Sequence, residues 1–254
     1  VCVLTIRHSF HLGRIGAWGE RCAEAGLVSI HHVNAVGHVG NAAPYRGSDA
    51  RYTTNPYCCT IPGAREAAPL VLDMATTVMA HGKVRVARNK GEKLPEGVLL
   101  DGQGQPTTDP EALFSEPPGA LRPVGTYKGY GLALVNELLA GILSGGGTCR
   151  PETHHENDTI LNNMFSVILD PNRFVDSVYF QSELDLTVAH VTSSPPMNPG
   201  EPVLIPGDPE RSNASKRKVA GIPIDENSWA LVVNTAESVG LASSQISDLA
   251  QNVT

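Results

Sequence analysis

Apolar residues recur along this chain at two spacings, and the switches between them outline its elements. Residues 1–6 form an apolar run that predicts a strand, with His8 and His11 following at its end. A Gly13-Arg14-Ile15-Gly16 turn then leads into a helical pattern. Ile15, Trp18, Cys22 and Ala25 share one face of it, and Gly26 stands where a left-handed cap ends a helix. Residues 27–33 alternate as a strand, with Val28 and Ile30 on one face. Residues 41–62, rich in Gly, Pro, Asn and Tyr, predict a loop system. Residues 69–73 form a short buried-strand pattern, and Asp73-Met74-Ala75-Thr76-Thr77 opens a helix-like run to about residue 80. Lys83, Arg85, Arg88, Lys90 and Lys93 are spread as on a solvated face.

The second half continues the pattern. Residues 97–110 carry a hairpin signal, Asp-Gly-Gln-Gly-Gln-Pro after Val98-Leu99-Leu100. Residues 116–125 predict a surface connection. Residues 126–131 open the clearest helix, with Leu132, Val135, Leu138, Leu139 and Ile142 on a wide apolar face and Ser144 to Gly147 at its end. A polar stretch over 150–163 precedes a strand over 164–169. Residues 192–200 form a Ser/Pro linker, and 229–249 an amphipathic helical tail.

At 254 residues the chain can bury a large core, as one unit or as two lobes near 1–125 and 126–254. Its 41% hydrophobic and 18% charged residues are ordinary for a soluble globular protein. A net charge of −7 argues against a nucleic-acid partner, and no apolar run approaches the roughly 20 residues of a membrane span. Five cysteines without a CxxC spacing indicate neither a disulfide framework nor a zinc site, so reduced, cytoplasmic thiols are expected. His31, His32 and His38 lie close together but have no acidic or thiol partner at a recognisable ligand spacing, so no metal is expected.

A strand that ends in histidines and feeds a helix N-terminus suits acid–base chemistry on an anionic substrate. A polar side chain in a loop explains the same residues equally simply. Asp73 reads either as a helix cap or as a working carboxylate, and Asn55 and Asn162 either as turn and strand-edge residues or as ligand contacts. Lys128 at a helix N-terminus opposes the macrodipole, which fits a phosphate or carboxylate nearby. No Gly-x-Gly-x-x-Gly follows a strand and opens a helix, so a Rossmann fingerprint is not visible.

The order of five motifs adds specificity. Ser9-Phe-His11-Leu-Gly13-Arg14 resembles the Ser-x-His-x-Gly-Arg signature of the type-2 malate/L-lactate dehydrogenase family, which also holds L-sulfolactate and ureidoglycolate dehydrogenases and cyclic imino acid reductases. Thr54-Asn55-Pro56 (with Thr53 where the family has Gly), Leu72 to Thr76, Lys128-Gly129-Tyr130-Gly131 and Pro206-Gly207-Asp208 extend the likeness over nearly the whole chain. The resemblance implies an α/β (α+β) fold with a large, mostly antiparallel sheet, surrounding helices and a non-Rossmann NAD(P) site. It implies a homodimer and reversible hydride transfer between NAD, or NADP, and C2 of a small 2-hydroxycarboxylate, with His11 as general acid/base. It aligns Gly13, Arg14, Ile15, Val71, Leu72, Asp73, Met74, Ala75, Tyr127, Lys128, Asn162, Gly207, Asp208, Pro209 and Glu210 with the cofactor. Asp208 and Glu210 lean toward NAD, because an acid suits a free ribose 2′-hydroxyl. His8 does not match the catalytic position. Family members carry a helical segment before the point where this sequence starts, so the chain is expected to be a fragment. The alternatives are a reductase of cyclic imino acids or diketo sugar acids, or a truncated, non-catalytic homologue.

Overall fold

The strand β2 (Val28–Val36) is buried along most of its length because both of its faces are covered. In the computed structural model, which describes residues 1–63, 68–157 and 159–251, β2 lies at the middle of a five-stranded sheet. The order is β1 (Cys2–Ser9), β8 (Leu161–Leu169), β2, β3 (Tyr57–Ile61) and β4 (Leu70–Met74), and every pairing is antiparallel. β8 comes from the second half of the chain and inserts between β1 and β2 of the first.

Alternation along β2 sorts the layers. His31 and Val33 face one side, beside Cys58, Ser166 and Met164, and there Ile15 and the helix α1 (Gly16–Glu24) pack on the sheet. His32 and Asn34 face the other side and meet α3 (Tyr127–Leu143). The His32 Nδ1–H donates to Asn136 Oδ1 at 2.7 Å, and Asn34 Nδ2 donates to Glu137 at 2.8 Å.

Both helices approach the sheet on small residues rather than on their large apolar ones. α1 buries Gly16, Gly19 and Ala23, and a Cβ on Gly19 would stand 2.3 Å from Thr60 Oγ1. Of the face expected for this helix, Ile15 is buried, Trp18 is 47% exposed and Ala25 is exposed. α3 buries Gly129, Ala133, Asn136, Glu137, Ala140 and Gly141, while Val135, Leu138 and Ile142 are open to solvent. The expected apolar stripe is real, but it looks away from this sheet.

A second core forms around α2 (His81–Lys90) and a three-stranded sheet, β6 (Pro106–Thr107), β5 (Leu99–Leu100) and β7 (Ala120–Leu121). Val84, Leu94, Val98, Leu99, Leu113 and Leu121 are buried together there. The hairpin signal over 97–110 corresponds to the β5–β6 pairing.

Four expectations change. The segment 41–62 is not all loop, because β3 occupies its end. The surface connection over 116–125 carries β7, whose two residues are buried. The helix-like run after Asp73 does not form. Thr76 N–H is drawn to Thr54 O at 3.0 Å and Val124 N–H to Thr76 O, and the helix starts only at His81. The tail splits into α6 (Glu226–Ser238) and α7 (Ser243–Gln251), with Gly240 at φ 93° between them. Two further helices, α4 (Ser177–Thr192) and α5 (Asp208–Ala220), have no buried residue.

Candidate active site

The end of β1 is bent so that its two histidines part. The register with β8 shifts between Ile6 and Ser9, and His8 takes φ 51°. Its N–H donates to Asn163 Oδ1, and its Nε2 lies 3.1 Å from Gly146 O, just past the end of α3. His8 is thus tied to backbone structure.

His11 sits in the turn that follows. Leu12 N–H donates to Asn162 Oδ1 at 2.9 Å, and Trp18 Nε1–H donates to Leu12 O at 3.1 Å. Gly13, at φ 75°, directs its N–H onto His11 Nδ1 at 3.0 Å. Asn162, 8% exposed, therefore anchors the histidine turn and also lines the cavity beside it.

That cavity measures about 670 Å³. It is lined by His11, Gly13, Ile15 and Asn162, by Val33 and Ala35 from β2, by Thr53, Thr54 and Pro56, by His38 and Asn41, and by His81 and Arg85 from α2 with Leu113. Among the described residues its charged and titratable lining is His11, His38, His81 and Arg85, and none is acidic. Burial pushes the His81 pKa down, and Arg85 and His38 push it the same way. Asn41 Oδ1 is buried without a hydrogen-bond partner. The Asn55 amide, in contrast, is spent inside the protein: Thr53 Oγ1 donates to its oxygen, and its nitrogen donates to Ala133 O and Glu137 Oε2.

Next to the cavity, Gly13 runs into a second cluster. Arg14 pairs with Glu20 at 2.5 Å, and Gly16 N–H donates to Asp73 Oδ2 at 2.8 Å. A Cβ on Gly16 would lie 2.7 Å from that oxygen, so the approach needs glycine. Burial raises the Asp73 pKa. The Gly16 N–H and Arg14 oppose the rise, while Glu210 and Glu20 add to it. Val71 N–H donates to Pro206 O, and Gly207, at φ 101°, packs against Val71. Asp208 pairs with Arg211 at 2.6 Å, and Arg211 donates to Pro69 O. The Ile205 N–H and Arg211 hold the Asp208 carboxyl below its usual range.

Tyr127 and Lys128 open α3. The next residue, Gly129, is packed so closely on the segment after Ala75 that a Cβ would reach Thr76 O at 2.7 Å.

The structure thus gathers the expected site residues into neighbouring groups. Gly13, Ile15 and Asn162 share the cavity with His11. Arg14, the 71–74 segment and the 207–210 turn adjoin through Asp73 and Val71. Tyr127 packs edge-on against Tyr45, and Gly129, next to Lys128, meets the chain beyond Ala75. Asn41, Thr53, His38, His81 and Arg85 also reach the cavity. The i, i+4 spacing of His81 and Arg85 was the available signal, hidden because the basic run looked like a solvated face. Among the described residues, no cluster of three or more His, Cys, Asp or Glu is arranged to hold a metal, and no helix is long and apolar enough to cross a membrane.

This architecture is similar to that of a solved Escherichia coli structure proposed to be a malate/lactate dehydrogenase. The TM-score is 0.92 at 38% identity, over 99% of this chain and 69% of that one. Residues 1–232 match the family model for malate/L-lactate dehydrogenase, and the chain belongs to that family. It is 40% identical over 243 residues to hydroxycarboxylate dehydrogenase B of Escherichia coli K12, covering 95% of this chain and 66% of that protein. It is 39% identical over 241 residues to an L-lactate dehydrogenase of Cupriavidus necator, covering 95% and 68%. The chain therefore spans about two thirds of the length of these relatives.

Proposed function

We propose that this chain carries the hydride-transfer site of an NAD(P)-dependent 2-hydroxycarboxylate dehydrogenase. The observation that carries the reading is His11 itself, held in a glycine turn that Asn162 anchors, in a cavity whose described lining residues include no acid. Reduction of a 2-oxo acid adds a hydride at C2 and a proton at the C2 oxygen. A bound nicotinamide supplies the hydride. His11 as imidazolium gives a proton to the oxygen as the C–O double bond is lost and is left neutral, and the neutral ring takes the proton back in the reverse direction. Asn162 holds the turn through Leu12 N–H and so keeps the ring in place.

The residues present fit the cofactor in two ways. The unpartnered Asn41 Oδ1 suits an N–H donor such as a carboxamide. Beside the cavity, Asp73, Glu20, Asp208 and Glu210 outnumber Arg14 and Arg211, and both arginines are already paired. An acidic balance suits ribose hydroxyls and opposes a 2′-phosphate, which favours NAD over NADP. Gly13, Ile15, the 71–75 segment, Tyr127, Lys128, Asn162 and the 207–210 turn complete the expected contact surface.

A homodimer is part of the proposal. The chain exposes 15,529 Å², against roughly 10,800 Å² for a compact monomer of its mass. Exposed apolar side chains on α3 and α4 contribute to the excess.

The test is oxidation of NADH, followed by absorbance, with a panel of 2-oxo acids beside a cyclic imino acid and with NADPH in parallel. The proposal expects turnover of 2-oxo acids and lower KM for NADH than for NADPH. Turnover of the imine alone, or of no substrate, contradicts it.

A further inference from the structure

We propose that Arg85, with His81 and His38 beside it, forms an anion-recognition subsite on the α2 side of the cavity. It makes the site prefer acids that carry a second anionic group. This rests on the reading above only in taking the cavity as the substrate site.

The argument starts from charge. The protein carries a net −7, yet the described residues around this cavity include His11, His38, His81 and Arg85 and no Asp or Glu. Most arginines near acids in this chain are paired: Arg14, Arg51, Arg88 and Arg211 each hold a carboxylate. Among the described residues Arg85 has no ion pair or hydrogen bond.

His81 and Arg85 lie four residues apart on α2 and line the same cavity. The His81 ring packs edge-on against Phe114 with centroids 5.4 Å apart. Arg85 and His38 disfavour charge on that ring, which places all three groups within electrostatic reach of one another. An anion placed among them removes that mutual repulsion. It also gives the Arg85 guanidinium the planar, two-oxygen partner it lacks.

His11, with Ile15 and Asn162, lines the same cavity from elements other than α2. A substrate whose reacting carbon is at His11 can therefore place a second carboxylate, or a sulfonate, toward α2. A short monoanionic acid has nothing to offer there.

The test is calorimetric titration of malate and of lactate, which differ in the second carboxylate, into wild-type protein and into Arg85→Gln and Arg85→Lys. This readout needs no hydride transfer, so a protein that binds selectively but does not turn over would refute the dehydrogenase reading and leave the subsite standing. The expected result is malate bound about tenfold or more tighter than lactate. The preference disappears in Arg85→Gln with lactate binding unchanged, and is partly kept in Arg85→Lys. Equal affinity for the two acids, no binding of either, a preference that survives Arg85→Gln, or an equal loss for both acids overturns the proposal.

Discussion

Acid should weaken this fold through one buried histidine. His31 is 2% exposed in the layer between the sheet and α1. Its Nδ1 meets Ser166 Oγ at 2.8 Å and its Nε2 meets Ser29 Oγ at 3.0 Å, and Ser29 Oγ in turn meets Thr60 Oγ1 at 2.7 Å. Hydroxyls can donate or accept, so they satisfy the neutral ring completely. They supply no charge to balance an imidazolium. Burial, with His32 adding to it, pushes the His31 pKa from 6.5 down to about 4. Between those values the unfolded chain binds a proton that the folded chain refuses. The contribution is therefore fully present above the unfolded value and is lost as pH falls toward the folded one, at up to about 1.4 kcal/mol per pH unit. The whole window is worth about 3 kcal/mol, and about 2.5 kcal/mol is gone by about pH 4.5. Urea unfolding of wild type and His31→Gln at about pH 7.5 and about pH 4.5 isolates this effect from other titrating groups. The variant is less stable at the higher pH, and the gap to wild type should narrow by about 2.5 kcal/mol at the lower. A gap that stays constant across pH would refute the reasoning.

Other expectations follow from the packing. Gly19→Ala should destabilise the protein by about 1–3 kcal/mol, because the new Cβ meets Thr60 in a packed layer, whereas Gly131→Ala, with nothing within 4 Å, should stabilise it by up to about 1 kcal/mol. Denaturant unfolding of the pair checks both signs. Glu137 accepts from Asn34, Asn55 and the Cys149 N–H, so Glu137→Leu should cost about 3 kcal/mol or more by stranding three buried donors; a loss below about 1 kcal/mol would contradict this. Asn162→Ala should lower kcat by about 10²-fold through a loosened His11 turn, and kinetics with unchanged kcat would argue that Leu12 alone fixes it.

Much of the fold was legible where local pattern and tertiary role agree. β2 alternates because its two faces meet different helices, and Gly26 (φ 75°) follows α1 as a left-handed cap residue should. The order of motifs around His11, Asp73, Lys128 and Gly207 indicated the family, and their residues do lie in adjoining clusters. Legibility failed where close approach mattered more than size. In α1 and α3 the glycine and alanine faces meet the sheet, so a reading based on the large apolar residues chose the wrong side. It failed again at 73–80, where tertiary hydrogen bonds from Thr76 replace a local helix. Asn55 looked as much like a ligand contact as a turn residue, and only its partners on α3 show that its amide is already used. Arg85 is exposed like its basic neighbours, as the solvated-face reading has it, and only its place in the cavity lining sets it apart.

The most direct test of the central claim is the rate of 2-oxo acid reduction by NADH in wild type and His11→Gln, measured in a single turnover with NADH binding determined separately. If His11 carries the proton, the variant should bind NADH as wild type does and lose about 10²–10⁴-fold in the rate of the chemical step. An unchanged rate in the variant would show that the proton comes from elsewhere and would remove His11 from the mechanism.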